Sequence, residues 1–443
     1  MTTHTATLRP QAGSSVDERD VTFRQIIWRL IPFLTLIWFL AWIDRVNVGF
    51  AKLTMMSDLA WSDAIYGAGA GIFFLGYFFF EVPSNLLLQR IGARKTITRI
   101  TLGWGIVCVL MMFVKTPAMF YFLRFLMGVF EAGFYPGIIL YLTYWYPSER
   151  RAKAFGMFMS ASGVAGVIGG PLAGTVMNSL HGVNGWAGWQ WVFLVEGLPS
   201  IIAAFVTWFY LTDRPSQAKW LSPAQRQSIE DDLSRDRASL GHREESLIAS
   251  LKDGRLWLLI LVFFCVIAAN SSLTFFGPSV VKEVGFTDPA TVGWIMALSY
   301  LFGAIGMVVN GLHSDHRKEA RLHCAFAAAL GALGLLLTSL FIQVSPVLAL
   351  VAQTVAIIGT MSAIPVFWQL PGRFLAGAAA AGGVALINSI ANLAGFGAPA
   401  MLGFVKTQTG GLAPGLLIVA AVEVCATLLI LLFVPRFTKQ SGK

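Results

Sequence analysis

Four charged residues sit inside long apolar stretches of this 443-residue chain. Asp44 and Arg45 are neighbours in one stretch, and Arg124 and Glu131 share another. A charge at the centre of a bilayer costs roughly 2.5–3.5 kcal/mol on insertion scales, so such groups pair, face water or do work. A guanidinium grips a carboxylate through two parallel hydrogen bonds and stays charged at any relevant pH. Arg45, then Arg124, are therefore candidate ligands for an organic anion. Asp44 and Glu131 are the nearest groups able to carry a proton. Seven residues separate Arg124 from Glu131. That is two helical turns, which puts them on one face about 10 Å apart. The plainer reading is that these four charges only neutralise one another and hold helices together.

A second set is polar or aromatic. Asn388 and Asn392 lie one turn apart on one helix side. They offer amide donors to carboxylate or hydroxyl oxygens, or equally hold two helices together. Tyr77 and Trp368 each offer a flat ring and one hydrogen bond to an organic substrate. Trp368, at a span end, also fits an interface anchor. Ser162 and Asn270 are weaker candidates. Glu81 and Glu196 read as structural hydrogen-bonding groups, and Glu423 has no evident partner. His181, His313, His316 and His323 fall in loops or at span ends and receive no chemistry. Nothing matches HExxH, GxSxG or a phosphate-cradling GxxxxGK[ST] motif. The expectation is no enzyme, no catalytic residue, no metal and no cofactor beyond a proton gradient.

The elements that must position these groups follow from composition. Hydrophobic types make up 56% of the chain and charged types 12%, about half the share of a soluble domain. A soluble protein of this size could not cover so much apolar side chain. Cys108, Cys265, Cys324 and Cys425 lie in apolar runs without a CxxC pair, so a disulfide scaffold is excluded. About 20 apolar residues cross a bilayer as a helix. Twelve such runs occur, near 30–51, 65–90, 96–114, 117–143, 153–177, 189–211, 256–281, 291–313, 323–343, 347–369, 376–405 and 415–434. None alternates like a barrel strand.

The net charge is +9. Its basic residues crowd one set of loops, including Arg90, Arg94, Lys95, Arg150, Arg151, Arg317 and Lys318. The other loops hold only Lys52, Lys115, Lys282 and Lys406. Topology rather than nucleic-acid binding explains this asymmetry, and both termini should be cytoplasmic. The charged stretch 212–254, with Ser222-Pro223 as a helix start, divides six spans from six. This organises the chain as an N-terminal tail (1–29), a six-helix bundle (30–211), a cytoplasmic linker (212–254), a second bundle (255–434) and a tail (435–443). The halves echo each other: the basic loop at 89–95 corresponds to 315–318, and Gly169-Gly170-Pro171 to Gly397-Ala398-Pro399. Both pairs are separated by nearly the same length of chain, as in a duplicated six-span repeat.

On these residues the chain resembles a major facilitator superfamily transporter over nearly its whole length. Arg90, Gly92, Arg94 and Lys95 match the family's Gly-xxx-Asp-Arg-x-Gly-x-Arg-Lys loop. Asn85 and Gln89 replace its first Gly and its Asp, while Gly311 and Asp315 keep those positions in the second half. Asp44-Arg45-Val46-Asn47, Pro83-Ser84-Asn85, the stretch 124–137, Trp189-Gln190-Trp191 with Glu196-Gly197, and the stretch 385–392 are similar to the anion:cation symporter family. Its members carry organic anions, commonly with protons. They include permeases for tartrate, sugar acids, phthalate and hydroxyphenylacetate, and vesicular glutamate carriers.

The resemblance implies an all-α membrane protein of twelve helices in two pseudo-symmetric bundles. It implies a monomer in the inner (plasma) membrane that imports a small carboxylate by proton symport with alternating access. Arg45, Arg124, Tyr77, Asn388, Asn392 and Trp368 would bind substrate. Asp44 and Glu131 would carry protons. Arg90, Gly92, Arg94, Gly311 and Asp315 would form a cytoplasmic gate. The alternative is an electroneutral anion exchanger or facilitator without proton coupling.

Overall fold

At 1.5 Å rise per residue, a helix of about 20 residues spans the hydrocarbon core, and longer helices reach beyond it. The computed structural model describes residues 16–240, 253–373 and 377–438. Fifteen α-helices run through them: α1 (Val16–Asp58), α2 (Asp63–Ile91), α3 (Ala93–Leu110), α4 (Pro117–Glu131), α5 (Phe134–Thr143), α6 (Ser148–Ser179), α7 (Gly188–Tyr210), α8 (Pro223–Leu240), α9 (Gly254–Glu283), α10 (Pro289–Arg317), α11 (Arg321–Phe341), α12 (Pro346–Phe367), α13 (Gly377–Asn392), α14 (Ala394–Thr409) and α15 (Ala413–Thr438). No strand occurs among the described residues. Twelve spans are long and apolar enough to cross a membrane. Helices α4 and α5 together make the fourth span, α13 and α14 the eleventh, and α8 lies between the halves.

The two broken spans have local causes. Gly133 follows α4 with φ of +82°, a left-handed conformation that costs a residue with a Cβ. A Cβ there would also meet Ser84 at 2.6 Å. Glu131 thus ends a half-helix, and so does Asn392 at the end of α13. Interrupted spans leave backbone groups and side chains available to a ligand within the membrane.

Helix α1 starts at Val16, so part of the expected tail 1–29 is the continuation of the first span. Phe23 and Ile26 are buried in one cluster with Ile229 and Leu233 of α8. Ser222 and Gln225 cap the start of α8 reciprocally, the Gln225 amide donating to Ser222 Oγ and the Ser222 amide to Gln225 Oε1. Trp145 and Trp220 stack with centroids 5.6 Å apart. The linker helix is therefore docked on the N-terminal half. Residues 1–15, 241–252, 374–376 and 439–443, which carry the rest of the expected tails and linker and the start of the eleventh span, lie outside the described residues.

The halves meet along glycine-lined seams remote from the basic loops. On α6, a Cβ at Gly170 would approach the Gly293 carbonyl of α10 to 2.7 Å, and one at Gly174 would approach the Pro289 carbonyl to 2.3 Å. On α2, a Cβ at Gly67 would sit 2.3 Å from the Pro399 carbonyl of α14. Backbones touch here because no side chain intervenes. Gly170→Leu should force the two helices apart at this end. Transport should fall several-fold, and a cysteine placed near Ala290 should gain reactivity towards a polar thiol reagent; unchanged reactivity would refute this.

Charges reinforce the same end. Lys52 pairs with Asp63 at 2.7 Å, and Lys406 lies 3.7 Å from Asp63 and 3.5 Å from Glu283. Lys282 donates to the Leu53 carbonyl at 2.5 Å. Asp288 accepts from Asn178 at 2.5 Å while capping α10 through the Thr291 amide and hydroxyl. Hydrogen bonds from the Thr291 hydroxyl and amide, then from Asn178, hold the Asp288 carboxyl below its ordinary range. A depressed carboxyl contributes stability above its unfolded pKa and loses it as pH falls through the folded value. Asp288→Ala should therefore lower stability by about 1 kcal/mol at neutral pH. The difference in melting temperature from the parent should shrink below about pH 4.

Candidate transport site

Successive residues on a helix point about 100° apart, so Asp44 and Arg45 face different neighbours. Arg45 turns towards α4. Its Nε donates to Glu131 Oε1 at 3.0 Å, and its Nη2 contacts the same oxygen. Glu131 is 1% exposed and Arg45 14%, so the pair opens to its surroundings on the guanidinium side. Phe73, Trp42, Tyr77 and Trp38 surround the guanidinium with ring centroids 5.1, 5.3, 5.7 and 5.9 Å from Cζ. A cation against ring faces is stabilised without its charge being quenched. Trp38 is itself anchored, donating to Ser162 at 2.8 Å.

Asp44 faces the other way, into the contact of α1 with α3 and α7. Its carboxylate accepts from Ser200 Oγ at 2.5 Å and Cys108 Sγ at 3.4 Å. Of the two acids, Glu131 bonds Arg45, whereas Asp44 is held by a hydroxyl and a thiol on the far side of α1. Glu196 lies in the same region, 3% exposed, with no hydrogen bond of normal geometry at either oxygen. Its polar neighbour there is the Asn47 side chain. Glu423 does have a partner, the Thr360 hydroxyl at 2.9 Å.

Arg124 shares the α4 face with Glu131 but is sealed, at 1% exposed. It donates to the Gly69 and Ala70 carbonyls of α2 at 3.3 and 3.2 Å and to Met127 Sδ at 3.4 Å. It has a shell of backbone acceptors in place of a carboxylate, which leaves Arg45 as the more accessible guanidinium.

Tyr77 stands one turn before Glu81 on α2. Glu81 accepts from Ser389 at 2.7 Å and Asn388 at 3.4 Å. Asn388 is thereby held against α2 by Glu81, one turn from Tyr77. Glu81 has the hydrogen bonding expected of it, and its partners lie in the other half. Asn392 is half-buried at the break of the eleventh span. Trp368 packs edge-on against Phe263 and Phe367 of its own half, at 4.9 and 5.5 Å, and neither contact reaches the Arg45 pair.

Of the residues expected at the gate, Arg94 and Asp315 bond within their own halves. Gly92 has φ of +92°, and a Cβ there would strike the Asp213 carboxylate. The Arg94 amide donates to that carboxylate at 2.7 Å. Arg90 is exposed. Asp315 accepts from Gln369 at 2.9 Å, and Gly311 has open space around it. The inter-half contacts named above all lie from Glu81 to the opposite end. Among the described residues, these contacts tie the halves together away from the basic loops. Sequence spacing had no signal for the Lys52–Asp63–Lys406–Glu283 cluster, whose members come from distant parts of the chain.

Comparison with known proteins agrees with this architecture. The family model for the Major Facilitator Superfamily matches residues 34–399. A "putative tartrate transporter" of Agrobacterium vitis is 44% identical over 95% of this chain and 96% of its own. A "quinolone resistance transporter" of Acinetobacter baumannii is 40% identical over 96% and 97%. A bacterial homologue of the human lysosomal transporter Spinster, solved inward-facing and unoccupied, superposes with a TM-score of 0.77. It is 18% identical and covers 96% of this chain and 99% of that one; at that identity the likeness concerns the fold. Twelve spans, two halves meeting at a seam and this match together make the chain a multi-pass membrane transporter rather than an enzyme, and a member of the Major Facilitator Superfamily.

Proposed function

We propose that the protein imports a small organic anion by proton symport, alternating access between the two sides of an inner membrane as a monomer. The observation that carries this reading is the Arg45–Glu131 pair, a fully buried carboxylate on a partly open guanidinium. The ionised acid occupies the donors that a substrate carboxylate would use. Protonation of Glu131 removes the competing charge and releases Arg45 to form a bidentate pair with the substrate. The loaded site then carries less net charge through the closed state. Asp44, on its separate hydroxyl–thiol site, is assigned a second proton.

Tyr77 and Trp42 give the substrate apolar walls, while Asn388 and Asn392 offer amides to its hydroxyls. Arg124 orders α2 from behind and binds substrate only if its carbonyl shell opens. Trp368 contributes once the halves close. The basic end is assigned to the cytoplasm. Arg90, Gly92 and Arg94 would meet Gly311 and Asp315 there when that end shuts. The A. vitis relative's name supports a hydroxylated dicarboxylate as substrate.

Proteoliposomes enclosing a pH dye test the reading. Tartrate, sugar acids, benzoates and dicarboxylates are added singly, with empty liposomes correcting for passive leak. Lumen acidification by one class is the expected result. Labelled solute exchanging without proton movement would favour the uncoupled exchanger and return both acids to a structural role. Net efflux driven by an inward proton gradient would reverse the assigned direction.

A further inference from the structure

A cleft of about 540 Å³ lies between α10, α11 and α12, on the side of the C-terminal half away from the seam. Helices α10 and α11 are consecutive yet barely touch; both pack on α12, which forms the cleft floor, while α10 also lies on α6. Polarity changes along it in a definite order. Phe326 of α11 and Ile358 of α12 line the apolar part, and Phe326 is 67% exposed. Next comes Ser362, 4% exposed, whose hydroxyl lines the cleft without a hydrogen-bond partner. Asn310 marks the same level, donating to the Ser362 carbonyl at 3.1 Å. One turn nearer the basic end, His313 and His323 meet across the mouth at 2.8 Å. Arg317, one further turn along the His313 face, is exposed, as is Lys318.

We propose that this cleft binds one anionic glycerophospholipid from the leaflet at the basic end. The order of groups matches such a molecule and no simple apolar one. An acyl chain fits the Phe326–Ile358 walls. The ester carbonyl of the glycerol accepts the stranded Ser362 hydroxyl, which satisfies a buried polar group. The phosphate lies at His313 Nε2, the imidazole nitrogen outside the His313–His323–Glu319 chain of hydrogen bonds, with Arg317 and Lys318 supplying positive charge at headgroup depth. The two nearest acids are already occupied, Asp315 by Gln369 and Glu319 by the Leu322 amide and His323. Asn310 and His313 of the cleft are sequence neighbours of Gly311 and Asp315 on α10, so a lipid here would sit beside the loop assigned to the gate.

The test uses the full chain in nanodiscs doped with phosphatidylglycerol or phosphatidylcholine bearing a diazirine on one acyl chain. After illumination, labelled peptides are mapped by mass spectrometry. Phosphatidylglycerol should label peptides containing Phe326 and Ile358 at least threefold more than phosphatidylcholine does. The His313→Leu, His323→Leu double variant should lose that preference, while the wild-type map stands regardless of how the variant folds. Equal labelling by the two lipids, or label spread evenly over the outward-facing helices, would overturn the proposal. Protection by inorganic phosphate alone would reassign the mouth to a small free anion and overturn it as well.

Discussion

In Glu131→Gln protein, uphill accumulation of substrate should vanish while exchange of labelled for unlabelled substrate persists. The amide keeps a carbonyl oxygen for Arg45 Nε, which Glu131 Oε1 now accepts at 3.0 Å, so the local geometry has a conservative replacement. What the amide lacks is the ability to gain and lose a proton. The accumulation ratio under an inward proton gradient should therefore fall to about one, and uptake should lose its dependence on that gradient. Counterflow in symmetric buffers reads the retained exchange. Concentrative uptake by this variant at the parent rate would remove Glu131 from the coupling role.

Arg45→Lys should reduce transport roughly 10- to 150-fold, the range set by losing a charge-assisted hydrogen bond of about 1.5–3 kcal/mol. Lysine keeps the charge but not the planar fork or its fit among Trp42, Phe73 and Tyr77. The variant also weakens the partner of a carboxylate that is 1% exposed, so a stability loss must be separated from a ligand loss. The Arg45→Met, Glu131→Gln double variant does this, because it removes both charges together. If the pair only holds α1 to α4, the neutral double variant transports normally. If Arg45 grips the substrate, the double variant stays inactive although it folds and inserts. Counterflow exchange, which Glu131→Gln alone should retain, measured in both variants and normalised to membrane-inserted protein, decides the matter.

Some of this was legible in the residues alone. Twelve apolar runs became twelve spans because a bilayer imposes one requirement on any crossing segment: internal hydrogen bonding under an apolar surface. That requirement is local, so it is written in consecutive residues. The Gly169-Gly170-Pro171 stretch noted as a repeat echo lies where α6 packs on α10, a Cβ at Gly170 approaching the Gly293 carbonyl. Arg45 and Glu131 were singled out by their cost in lipid rather than by knowledge of their neighbours.

Partner choice was another matter. Asp44 and Arg45 are adjacent in sequence but diverge by the helical angle, one towards Ser200 and Cys108, the other towards Glu131. Arg124 and Glu131 share a face, yet the guanidinium is held by the carbonyls of Gly69 and Ala70. Glu81 finds Asn388 and Ser389 in the other half. Lys52, Asp63, Lys406 and Glu283 converge from four helices. The chain by itself determined the transmembrane class, the duplicated halves and which charged side chains fall inside apolar spans, since these depend on composition and short-range periodicity. Only the tertiary structure decided which charge meets which and at which end the halves touch. Those outcomes depend on helix rotation and on contacts between residues far apart in the chain, and no local spacing encodes them.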